Sequence, residues 1–185
     1  MKKIILLAIA AIVLISACQK IKSIANINFN IPFWQTAEVP AIGGYNYGIP
    51  LPAGGAGLPF PPVAVATNAG QLFTQYHAGR KNVVDAHVNN IDLQIVAGDQ
   101  NFDFLDTIQL FVSTADLPEV LVAYKYNIPK GQKRIDLTIV PGMKLRNYVV
   151  EDTVRLRMNA HVNAVPKPGT QVMAEGAFHV TANPL

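Results

Sequence analysis

His87, His161 and His179 are the side chains of this chain best suited to chemistry, and each falls on the polar face of an alternating apolar/polar stretch. Imidazole nitrogens bind zinc or copper. Facing side chains on neighbouring strands lie about 5 Å apart. If two or three of these histidines share a sheet, Asp85 adds an oxygen donor and the group has the makings of a weak metal site; otherwise they are three solvent-facing histidines. The carboxylates with possible roles are Asp99, Asp103, Asp106, Asp116 and Glu119. The turn 98–103 carries oxygen donors but lacks the spaced ligands and terminal Glu of an EF-hand, and Asp and Asn serve turn geometry equally well. A glycosidase needs two carboxylates across a cleft, and no such pairing follows from the order of residues. Arg155 and Arg157 form a short basic stripe, the kind of charge that blunts an exposed strand face.

Other chemistries find no support. No Gly-rich phosphate loop precedes a Lys-Ser or Lys-Thr pair, and neither a Gly-x-Ser-x-Gly elbow nor a His-Glu-x-x-His helix occurs. One cysteine in 185 residues excludes an intramolecular disulfide framework and a Cys-based zinc site. Lys+Arg number 15 and Asp+Glu 12. Removal of Lys2 and Lys3 with a leader leaves (15 − 2) − 12 = +1, far from the basic patch of a nucleic-acid binder. A hydrophobic content of 50% excludes a disordered chain. No cofactor is implied.

The first residues read as an address. Met1-Lys2-Lys3 precede an apolar run from Ile4 to Ile15, then Ser16-Ala17-Cys18. This is the build of a secretory signal helix, and its apolar run is short of the roughly 20 residues that span a bilayer. Leu14-Ile15-Ser16-Ala17-Cys18 resembles the lipobox of bacterial lipoproteins. The resemblance implies cleavage of residues 1–17, lipidation of Cys18, and a tether over 18–25. Two or more acyl chains anchor stably where one anchors marginally. Gln19 in place of Asp after the cysteine is similar to lipoproteins sorted to the outer membrane; the periplasmic and the surface face both remain open.

The elements that must position any site are strands. Ile27, Phe29 and Ile31 alternate with asparagines, which predicts a half-buried strand that Pro32 either stops or marks as an edge. Residues 67–81 fit a short helix capped by Thr67 or Asn68, or equally a strand. Val84, Ala86 and Val88 share one face; Ile91, Leu93 and Ile95 follow with opposite parity, which predicts a β-bulge at Asn89-Asn90. Strands follow over 107–113, 120–126 and about 135–139, then one helical turn within 143–150. Val154, Leu156, Met158, Ala160 and Val162 alternate without a miss, as an antiparallel strand with one wet face does. Val172, Ala174, Gly176, Phe178 and Val180 line the last strand.

Residues 39–62 are different in kind. Gly and Pro make up about half of the segment, and it holds no charged residue. It either covers one end of the core or forms a docking surface, with Tyr45, Tyr47, Leu51 and Phe60 as the candidate partner contacts.

Seven to nine short strands punctuated by Gly, Pro, Asp and Asn turns predict an all-β, Ig-like antiparallel β-sandwich, one domain over 26–185. The stretch Phe102–Ile108 through Leu117–Tyr124 resembles a group of uncharacterised Bacteroidota all-β lipoproteins, a resemblance that implies an envelope location and no catalytic residue. The expectation is a cell-envelope lipoprotein whose sandwich binds or scaffolds without catalysis, held to the membrane by the lipid on Cys18, with an envelope protein or glycan as partner. The alternative is a small-ligand or metal-binding lipoprotein, and behind it a glycan-acting hydrolase.

Overall fold

The computed structural model describes residues 26–40, 42 and 51–185. The signal segment, Cys18, Tyr45 and Tyr47 lie outside the described residues.

Two antiparallel sheets pack into an all-β sandwich, as the alternation predicts. The first joins β1 (Ile27–Glu38), β10 (Gln171–Pro184), β4 (Ala78–Ala97) and β7 (Arg134–Asp136) in that order. The second runs β2 (Ala56–Pro59), β9 (Thr153–Val162), β5 (Leu105–Ser113), β6 (Val120–Tyr126) and β8 (Thr138–Ile139), with β3 (Val63–Ala66) also on β9. The apolar face of each strand closes on the other sheet. Ile31, Leu93, Phe178 and Val180 from one side, and Ile108, Leu110, Val112, Val154 and Val162 from the other, are buried in one core. Burying such aliphatic side chains contributes about 1.5–3 kcal/mol each, which drives the sheets together.

Local sequence accounts for the departures from regularity. The strand β4 carries its predicted bulge: Ala177 pairs with Asn90 and Phe178 with Val88, so Asn89 is the extra residue. A second bulge was not foreseen. Thr181 pairs with Asp85 and Ala182 with Val83, so Val84 is extra and turns outward at 51% exposure while Val83 enters the core. The expectation that Val84 shares a face with Ala86 is corrected. Gly176 faces inward on β10, where a Cβ would stand 2.6 Å from the Phe33 ring and 2.5 Å from the Asn90 carbonyl oxygen. Its missing side chain makes the room Phe33 occupies.

The single strand expected over 135–139 is two. Asp92, Leu93 and Gln94 pair with Asp136, Ile135 and Arg134, whereas Ala123 and Tyr124 pair with Ile139 and Thr138. The chain changes sheets at the buried Leu137, whose N–H donates to Ile91 O at 2.9 Å. One lateral seam of the sandwich is thereby stapled by continuous chain. At the other seam, β1 of one sheet faces β3 of the next, and no strand among the described residues is shared. Pro32 sits inside β1, opposite Ala177, and is tolerated because β1 is an edge strand.

The segment after β3 is helical. Helix α1 (Ala69–Gln75) follows Asn68, which adopts a left-handed φ of 50° and makes no side-chain cap. The cap comes from elsewhere: Ala69 N–H donates to Thr67 Oγ1 at 3.3 Å, and Gly70 N–H to Asp152 Oδ1 at 2.8 Å. Phe73 then packs edge-on against Phe29, centroids 5.3 Å apart. The expected turn within 143–150 is α2 (Arg146–Val149).

Candidate functional site

The open seam carries a groove. Its walls are Pro32, Trp34 and Gln35 of β1 on one side, and Val65, Ala66 and Thr67 running into Asn68, Gln71, Leu72 and Gln75 of α1 on the other. It encloses about 370 Å³, at the lower end of the roughly 300–1,000 Å³ typical of small-molecule sites. Trp34, the only tryptophan of the chain, is 67% exposed there. Its indole therefore offers an apolar face to the groove. Among the described residues, four carboxamides line the same space and no charged side chain does. Gln35 Nε2 donates only to its neighbour's carbonyl, Thr36 O, at 3.0 Å. Gln71 and Gln75 are i and i+4 on α1, which sets them on one face beside Leu72, and Asn68 stands just before the first turn. A narrower apolar crevice of about 20 Å³ opens on the same seam between Ala37, Val63, Leu110 and Met158. It is no larger than a water or a methyl group needs.

This groove was not singled out in the sequence, although one signal pointed to it. Trp34 shares the parity of Asn28 and Asn30, the wet face of β1. Gln71 and Gln75 lay in the stretch left open between helix and strand, so their common face was hidden.

The expected docking contacts fare differently. Phe60 is a core residue at 4% exposure, lining the apolar crevice, and Leu58 beside it is at 3%. Leu51 is half-buried against the same core. The alternation of β2 against β9 draws these side chains inward, so Phe60 is corrected from contact to core.

Two of the three histidines do meet. His87 and His179 are register partners on β4 and β10, with ring centroids 5.2 Å apart. Asp85 Oδ2 lies 3.1 Å from His87 Nδ1, and Asn30 Oδ1 lies 2.9 Å from His179 Nδ1. One ring nitrogen of each is thus engaged and the Nε2 atoms are left. His161 stands on β9 in the other sheet, 3.7 Å from Asp106, so the trio is corrected to a pair. Among the described residues no group of three or more His, Cys, Asp or Glu side chains is placed to hold a metal ion. Two nitrogens are half of a tetrahedral zinc set.

The carboxylates stabilise turns and strands. Asp99 Oδ2 accepts from Lys167 N–H at 2.8 Å and from Thr170 Oγ1 at 3.2 Å, and Asp103 Oδ1 accepts from Gly131 N–H at 2.6 Å. Arg157 is no free basic stripe: it pairs with Glu119 through two hydrogen bonds and lies 4.6 Å over the Phe111 ring. The Arg157 hydrogen bond holds the Glu119 carboxyl below its ordinary value, against a smaller opposing effect of burial. Arg80, at 2.6 Å, and the Gly70 N–H lower the Asp152 carboxyl in the same way. Asp92 is buried at 6% and pairs with Arg134 at 2.9 Å, which raises the guanidinium pKa.

No family model and no curated protein matches this chain. Among solved structures, a chain of Desmodium yellow mottle tymovirus aligns over 86% of this chain and 90% of its own, at 12% identity and a TM-score of 0.27. So loose a likeness carries no argument, and function rests on the groove and on the residues themselves.

Proposed function

We propose that this protein is a bacterial cell-envelope lipoprotein, anchored through Cys18, whose β-sandwich binds a ligand and does not catalyse. The observation that carries the binding half is the Trp34 groove. A hydrolytic or transfer site needs a nucleophile, a base or an acid in the cleft. Among the described residues the lining holds no Asp, Glu, His, Lys, Arg or Cys, and its hydroxyl, Thr67, is buried and donates to Glu151 O at 2.7 Å. What remains is an aromatic face and amides, which recognise and hold. The lipobox supports the anchoring half, and the likeness of 102–124 to Bacteroidota lipoproteins agrees with it. No helix among the described residues is long and apolar enough to cross a membrane. The proposed attachment is the lipid on Cys18, at the outer membrane.

Metabolic labelling with an alkyne fatty acid tests the anchor. The wild type takes up label and fractionates with envelope membranes; Cys18→Ser does neither. Unlabelled wild type would refute lipidation. The His87–His179 contact favours a second reading, a small-ligand or metal site on the outer face of the first sheet. Equilibrium dialysis against zinc separates the two readings: stoichiometric uptake lost in His179→Ala would support the metal site.

A further inference from the structure

We infer that the Trp34 groove takes an uncharged saccharide chain, an inference that rests on the binding reading above and names its ligand class. Three features of the groove converge. Trp34 offers a flat apolar face beside the ring of Pro32, and a pyranose presents a matching face of C–H groups to such a surface. Gln35, Asn68, Gln71 and Gln75 each carry a donor and an acceptor on one planar group. A sugar hydroxyl also donates and accepts, so carboxamides pair with it without choosing a charge. Among the described residues the lining carries no charged side chain, so it offers no salt bridge to a phosphate or a sialic acid; beside it, Glu175 on β10 is the register partner of Trp34. Gln71 and Gln75 stand about 6 Å apart along α1, with Asn68 just before it and Gln35 across the groove, a set spread widely enough to meet more than a single hydroxyl.

A peptide is the competing occupant, and β1 disfavours it. A bound peptide gains most of its affinity on a sandwich edge by adding a strand. β1 is such an edge, but Pro32 in its middle removes an N–H from the ladder. The groove also lacks a deep apolar pocket for an anchoring side chain, since the crevice beside it is about 20 Å³.

The single tryptophan makes the test direct, because fluorescence excited selectively in tryptophan reports this groove alone. The full lipidated chain in a non-glycosidic detergent is titrated with neutral oligosaccharides of glucose, mannose, galactose and N-acetylglucosamine, and with uncharged Ser/Ala/Gly peptides. The expected result is a saturable fluorescence change with at least one saccharide series. Affinity weakens about tenfold or more in Gln71→Ala/Gln75→Ala, whose exposed positions leave the melting temperature unchanged. Calorimetric titration of Trp34→Ala shows the same loss. Saccharide binding that survives both variants would overturn the assignment. Binding of the peptides alone would overturn the saccharide and leave the binding domain standing. Silence from every probe, together with no envelope component crosslinked through a photoreactive group at position 71, would overturn both.

Discussion

Asp152 shows how far one side chain reaches in this fold. It accepts from Gly70 N–H at the start of α1 and is held by Arg80 at 2.6 Å. Truncation removes a helix cap, a loss of about 1 kcal/mol, reduced because the pair is well exposed. Asp152→Ala is therefore expected to speed amide exchange over 69–75 while the sheets keep their protection. Asp152 and Glu119 also set an acid limit. Arginine hydrogen bonds hold both below their ordinary values of 3.8 and 4.5. A carboxylate lowered by folding contributes stability that is complete above its unfolded pKa and lost as pH falls through the folded one. Urea midpoints are expected to hold level from neutral pH to about pH 5 and to decline below about pH 4, with a shallower decline in Glu119→Gln. At Gly176 the limit is steric. A methyl group there meets Phe33 and Asn90 O, so Gly176→Ala is expected to cost about 1–3 kcal/mol, read as a lowered melting temperature with the sheet spectrum retained.

At the scale of elements, parity decides what the chain tolerates. Asn89 is the extra residue of a bulge, and deleting it leaves Val88 and Ile91 on the core side. Asn159 lies in the regular strand β9, and deleting it turns Ala160 and Val162 to the outside. The Asn89 deletion is expected to fold, with altered twist, and the Asn159 deletion to be insoluble on expression. The element most exposed to a single change is the crossover between β7 and β8. Leu137→Ala removes the buried side chain at the point where the chain changes sheets, at a cost of about 2–5 kcal/mol. Amide exchange is expected to rise first at 134–139.

For the whole molecule, the anchor proposed at Cys18 would limit where a ligand can be met. Nine residue steps separate Cys18 from Ile27, so the start of β1 lies within about 32 Å of a lipidated Cys18. The groove follows seven residues further along the same strand. On the proposed lipidation, a ligand held there would be met within a bounded distance of the membrane. Much of this architecture is written in neighbouring residues. Alternation with period two placed the core faces of β1, β5, β9 and β10, the slip of phase placed the bulge at Asn89, and Gly, Pro and Asp marked the turns, because each depends only on the few residues around it. The resemblance of 14–18 to a lipobox is local in the same sense. Contacts between distant segments were not legible. That His87 meets His179 while His161 stands on the other sheet depends on strand order, and alternation carries no information on which strands are neighbours. The sheet change at Leu137 and the inward turn of Phe60 follow from which edges were left to pair. The groove needed most from the tertiary structure: the outward parity of Trp34 was readable, but its meeting with Gln71 and Gln75 came about only when β1 and α1 were brought to the two sides of one open seam, by the burial of the core beneath them.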